Sequence, residues 1–280
     1  MIVDAHHHLW RTGQGYTWLD APELAPIRRS FTPADLQTVL TESGVERTVL
    51  VEGGRCDTAE AGLLLAYAKE TPQIAGVVAW VDPTDPALAD TLAGYRALPG
   101  GDLLVGVRPQ IQGEADPDYL DRPDVRRGLH TIAGTGLAFD LVIRDDQLPA
   151  AARAARDVPE LRFVLDHLAK PRIRAGEHAA WAGALAELAT APNATAKLSG
   201  LVTEADWRQW TVADLRPYVA TAVELFGPQR LMYGSDWPVC LLAASYARVK
   251  NALVEALPAL SPREQMAVFG GTATRTYRLP

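Results

Sequence analysis

A (β/α)8 barrel, an α/β fold, is the architecture that this 280-residue sequence predicts. Three observations lead there. Eight short apolar runs recur along the chain; most are followed by a stretch of helical composition; and no G-x-G-x-x-G fingerprint follows any of them. Strands alternating with helical patterns imply βαβ units and a parallel sheet. Eight such units in this length match a TIM barrel. The missing fingerprint speaks against the runner-up, an open doubly wound sheet.

The strand candidates, in order, are MIVDAHHHL, VERTVLVEG, IAGVVAWVD, LLVGVRPQI, LAFDLVI, RFVLDHL, ATAKLSGL and RLMYGSDWP. Helical stretches such as DTAEAGLLLAYAKET, PALADTLAGYRAL, QLPAAARAARDV, HAAWAGALAELATA and ADLRPYVATAVELFG lie between them. A long insertion rich in Gly, Pro and aromatic residues, WRTGQGYTWLDAPELAPIRRSFTP, follows the first strand and reads as a loop over one end of the barrel. A second cover, LVTEADWRQWTVADL, follows the seventh strand, and SPREQMAVFGGTATRTYRL reads as a closing helix with a tail. No repeat or linker interrupts the pattern, so residues 1–280 are expected to form a single domain.

Composition narrows the function. A net charge of -7 argues against a nucleic-acid partner, which would want a basic face. There is no apolar run of membrane-spanning length and no basic-then-apolar leader pattern, so the expectation is a cytoplasmic protein without membrane contact. Two cysteines, Cys56 and Cys240, make a disulfide framework implausible. Oligomeric state stays open, a homo-oligomer included.

Three consecutive histidines near the N-terminus first suggest a purification tag. Strand alternation argues otherwise. Val3, Ala5, His7 and Leu9 share one face and suit packing against helices; Ile2, Asp4, His6 and His8 share the other and are expected to point into the barrel. His6 and His8 would then lie nearest the C-terminal mouth, where barrel enzymes place their chemistry. His7 is read as a packing residue. The other strand ends add His167, on the face of Phe163 and Leu165, Asp236 beside the first strand, Glu52, Arg108 and Asp140. Such a cluster of His, Asp and Glu is what a hydrolytic site needs. Taken singly, Asp236 would equally serve as a helix cap, and Asp140 or Asp166 as a backbone acceptor.

The motifs DAHHHLW, LDHLAKP and YGSDWPVCLLAASY resemble the amidohydrolase superfamily, and more narrowly its sugar-lactonase branch, which includes L-fuconolactonases, L-rhamnonolactonases and 2-pyrone-4,6-dicarboxylate lactonase. KLSGLVTEADW and GVRPQIQ support that branch. The resemblance runs from residue 2 to about residue 278. It implies a distorted TIM barrel that hydrolyses a sugar lactone to a hydroxy acid. It also implies His6 and His8 as the first-strand pair, His167 as the later-strand histidine and Asp236 as the eighth-strand aspartate. No carboxylated-lysine context and no second histidine on a neighbouring strand is present, so a two-metal centre is not expected. The branch holds both mononuclear-metal and metal-independent enzymes.

Asp236 is therefore the expected general base, with His6, His8 and His167 either holding one divalent ion, zinc foremost, with Asp236, or donating to the oxyanion directly. Arg108, Glu52, Asp140, Trp80 and Trp237 are the expected substrate contacts. Trp207, Gln112 and Ser199 are further candidates, and an Arg108 pairing with Glu52 or Asp140 is the structural alternative. A decarboxylase or amide hydrolase of the same superfamily, and a non-catalytic barrel that binds a sugar acid, are the competing readings.

Overall fold

The computed structural model describes all 280 residues. Eight strands pair in parallel in sequence order: β1 (Val3–His7), β2 (Arg47–Val51), β3 (Ile74–Ala79), β4 (Leu104–Val107), β5 (Ala138–Leu141), β6 (Arg162–Leu165), β7 (Ala194–Leu198) and β8 (Leu231–Tyr233). Each falls inside one of the eight apolar runs. The outer ring is built from α1 (Pro33–Ser43), α2 (Ala59–Glu70), α3 (Leu88–Ala97), α4 (Pro123–Ala133), α5 (Leu148–Asp157), α6 (Ala179–Ala189), the short α7 (Leu201–Glu204), α8 (Val212–Phe226) and α9 (Tyr246–Ala256). The C-terminal α10 (Pro262–Met266) and α11 (Thr272–Tyr277) complete it. No helix is long and apolar enough to cross a membrane.

Local chemistry sets the helix ends. Thr32 and Asp35 form a reciprocal capping box on α1, and Thr211 with Asp214 does the same for α8, satisfying amides that the first turn leaves free. Gly44 ends α1 in the left-handed conformation with φ 62°.

The sheet closes weakly. Where the end of β1 meets the segment that follows β8, backbone bonds run from Asp236 N to His6 O at 2.8 Å and from His8 N to Trp237 O at 2.7 Å. Both ends of this seam carry site residues. The long segment after β1 folds back over the mouth through two 3-10 turns, Thr17–Asp20 and Pro22–Ile27, and Trp18 ties it to the barrel by donating to Gly53 O at 2.8 Å.

Two cores result. The larger packs the outward strand faces against the helices; the smaller joins Val3, Ala5, Val49, Val51, Val78, Val164 and Met232 to Tyr277 and Leu279. Residues from strands on opposite sides of a barrel meet only in its interior. Strict alternation is thus wrong for the start of β1: Val3 and Ala5 face inward, while Asp4 accepts from Ser235 and from Tyr246 of α9. The cause is an irregular register between Asp4 and His7 against β2, where three steps on β1 match two on β2. Past it the expected phase returns. His7 turns outward onto Thr48 Oγ1 at 3.0 Å, and His6 and His8 turn inward.

The barrel's middle is charged as well as apolar. Lys197 of β7 is fully buried, with its ammonium 2.6 Å from Asp140 and 2.8 Å from Asp166. Tyr277 of α11, closing the bottom, donates to Asp140 at 2.7 Å. Lys197→Met leaves two carboxylates without their shared cation, a loss expected to cost about 3–5 kcal/mol. A urea-unfolding midpoint that barely moves would contradict this.

Candidate active site

Above Lys197 the charges continue upward to the mouth. His6 Nδ1 lies 3.3 Å from Asp166 Oδ1 and 3.1 Å from the Lys197 ammonium. Nδ1 thus sits between the ammonium, which has a third N–H to give, and the Asp166 carboxylate. His8 Nδ1 meets Val51 O at 3.0 Å, and His167 Nδ1 meets Ser199 Oγ at 2.9 Å. Each imidazole is thus held at its inner nitrogen, with Nε2 turned toward Asp236. The three Nε2 atoms stand 3.8, 3.5 and 3.9 Å from Asp236 Oδ1 for His6, His8 and His167.

His167 reaches this position by an unusual route. After β6 the chain runs through four residues of positive φ, His167 (53°), Leu168 (51°), Ala169 (60°) and Lys170 (52°), closed by Lys170 N donating to His167 O at 2.9 Å. A left-handed turn of non-glycine residues costs roughly 1–2 kcal/mol per residue. The buried Leu168 and Ala169 and the bond from Trp181 Nε1 to Leu168 O hold it in place. Alternation placed His167 with Phe163 and Leu165, but those two join the helix-facing core and the turn swings His167 to the mouth. Asp236 is also left-handed, with φ 56°. Such strain concentrates where geometry serves function.

Electrostatics follow from burial. Burial drives His6 well below the ordinary imidazole range against the pull of Asp166, and Lys197 adds to the drop. It lowers His167 to about 4, partly offset by Asp236. For Asp236 burial favours the neutral acid, but His167 and His8 outweigh it and hold the carboxyl below its ordinary value. Near neutral pH the site therefore presents an ionised carboxylate facing uncharged imidazoles at His6 and His167.

A cavity of about 320 Å³ opens over this group, with His8, Arg108, Gln110, His167, Lys170 and Asp236 in its wall. Of the expected substrate contacts, Arg108 reaches the wall, yet each of its nitrogens is engaged: Nε to Glu52 Oε1 at 2.6 Å, Nη1 to Asp166 at 2.9 Å and Nη2 to Glu52 O at 2.7 Å. Glu52, fully buried, holds that guanidinium and accepts from Gln110 at 2.5 Å. Asp140 sits below the site with Lys197 and Tyr277, away from the cavity wall. Trp80 lines a neighbouring cavity, and Trp237 is buried against Phe31. Gln112 is in the wall, Ser199 is occupied by His167, and Trp207 donates to Thr203 O outside it. Lys170, Lys197, Gln110 and Trp18 were not singled out from sequence. A lysine inside ATAKLSGL, an apolar strand, was the available sign for Lys197.

The donor set suits a metal ion. His6, His167 and Asp236 each bring a ligand atom within 4.8 Å of the others. His6 Nε2 and His8 Nε2 face each other at 3.1 Å, a contact that two lone pairs tolerate only around a shared proton or a cation. Neighbouring ligands on a tetrahedral zinc stand about 3.4 Å apart, given Zn–N near 2.0–2.1 Å.

Residues 3–279 match the amidohydrolase family. The chain belongs to that family. An L-fucono-1,5-lactonase from Burkholderia multivorans is 40% identical over 291 residues, spanning 99% of this chain and 96% of that protein. An L-fucono-1,5-lactonase from Burkholderia ambifaria is 37% identical across 99% and 95%. The crystal structure of an amidohydrolase from Burkholderia multivorans with bound zinc superposes with a TM-score of 0.93 at 35% identity, covering 100% of both chains. The barrel and the expected kinship with lactonases of this family hold.

Gly200 follows Ser199 with φ 64°, and a Cβ there would fall 2.5 Å from His167 Nδ1. Gly200→Ala should push the imidazole out of line and lower kcat about 100-fold, since ångström-scale misplacement costs that much. Steady-state kinetics together with circular dichroism of the folded variant check it.

Proposed function

We propose that this amidohydrolase opens a sugar lactone, L-fucono-1,5-lactone or a close stereochemical relative, to its aldonic acid. The observation that carries the reading is the convergence of three imidazole Nε2 atoms on one oxygen of Asp236 at the floor of a sugar-sized cavity. Full-length identity to two lactonases supplies the substrate class.

The chemistry asks for an activated water, a polarised carbonyl and a proton for the departing ring oxygen. Asp236 faces the imidazoles through Oδ1, leaving Oδ2 to take a proton from water as its oxygen attacks the lactone carbonyl carbon. The ring C–O bond then breaks, its electron pair goes to the ring oxygen, and the Asp236 acid returns the proton there. His6, His8 and His167, fixed at their inner nitrogens, keep the carbonyl and water in register. A zinc ion on His6, His8, His167 and Asp236 would supply Lewis-acid polarisation or a more acidic water at this point. Lys197 with Asp166 sets the orientation of His6, and Ser199 that of His167.

Asp236→Asn should lower kcat by about 10²–10⁴ with KM changed only a few-fold. A lactone panel read by proton release tests this, and a folded parent that opens none of the sugar lactones sinks the proposal. Chelation should remove both bound zinc and activity, with zinc restoring them; full activity in demonstrably metal-free protein would refute the zinc assignment. In metal-free protein burial holds the His167 imidazole neutral, so its ring-proton NMR signals should stay fixed as pH falls from about 7 to 5 and shift only near about 4. A midpoint near the ordinary imidazole value of about 6.5 would contradict it.

A further inference from the structure

The catalytic cavity has two cations in its wall, Arg108 and Lys170, and they differ in what they are free to do. Arg108 is held in place: each of its three nitrogens donates to Glu52 or Asp166, and Nη1 also lies 3.3 Å from His6 Nε2. Lys170 makes no side-chain hydrogen bond and has no carboxylate within ion-pairing distance; Asp236 and Glu204 act on it only through space. It is also built into place. The left-handed turn that carries His167 to the mouth ends on Lys170, so both residues line one cavity while Leu168 and Ala169 between them are buried. A fold that strains four successive residues to deliver a histidine delivers an unpaired ammonium with it.

A neutral lactone offers such a cation little. Hydrolysis changes that: negative charge grows on the carbonyl oxygen as water adds, and the same oxygen ends in the product carboxylate. We infer that Lys170 is a catalytic residue that binds this oxygen, receiving the developing oxyanion and then the carboxylate of the aldonate. This rests on the lactonase reading above. Two consequences follow. Lys170 distinguishes substrate from transition state, and it also makes the product the better ligand, so aldonate inhibition and turnover are linked through one side chain. No proton leaves the ammonium, and the bonds made and broken are those already described.

The test compares the parent, Lys170→Met and Lys170→Arg as full-length zinc-loaded protein. Calorimetric titration with L-fuconate should show about 10- to 100-fold weaker binding for Lys170→Met, as expected for a lost hydrogen bond to a charged group, and near-parental binding for Lys170→Arg. On L-fuconolactone, kcat of Lys170→Met should fall about 100-fold while KM for the neutral substrate stays within a few-fold. Zinc content and melting temperature matching the parent would show that the turn is intact; a purely structural role would move these and spare the kcat-against-KM split. Equal L-fuconate affinity in parent and Lys170→Met overturns the assignment whatever the activity. A parent that opens no lactone but still binds L-fuconate through Lys170 overturns the lactonase reading and leaves the carboxylate site standing.

Discussion

Lys197 places one positive charge in the dry middle of the barrel, 2.6 and 2.8 Å from two carboxylates, and the site above depends on how that charge is shared. Asp140 spends its share downward, on the tyrosine that closes the barrel floor. Asp166 spends its share upward, on His6 and Arg108. Charges so deep survive only in a complete set, since a missing partner leaves a neighbour ionised without solvent. One buried ammonium therefore connects the C-terminal plug to the imidazole that faces Asp236.

Arg108 extends that frame sideways. It joins Asp166 to Glu52, and Glu52 holds Gln110 at the cavity wall. The guanidinium is held strongly in its charged form, because Glu52 and Asp166 outweigh the burial that opposes it. The buried carboxylates and cations thus hold this side of the cavity wall still.

Much of this was legible in the sequence, for physical reasons. Parallel strands buried on both faces read as short continuous apolar runs, and all eight strands fall inside such runs. His6, His8, His167 and Asp236 stood out because polar residues at barrel strand ends have few structural uses. The faces of Val3 and Ala5 were misread because an irregular register shifts the phase without altering composition. The orientation of His167 was misread because a left-handed turn without glycine carries no local signal. Asp140 was assigned to substrate because a carboxylate on an inward strand position looks the same at the mouth as in the middle; its lysine partner lies two strands away. Trp80 and Trp237 show the same limit, since an indole has equal reason to pack or to line a cavity.

The weak seam between β1 and β8 bears on how the molecule is made. His6 belongs to β1 and Asp236 follows β8, the first and last strands of the sheet order, yet Asp236 N bonds directly to His6 O. Contacts so far apart in sequence carry the largest loop-closure entropy and form late. The folding chain therefore keeps an open β1 edge, its His7 and His8 already bonded to β2 but Asp236 still missing, until β8 docks. In this barrel the step that completes the fold is also the step that brings Asp236 to the histidines.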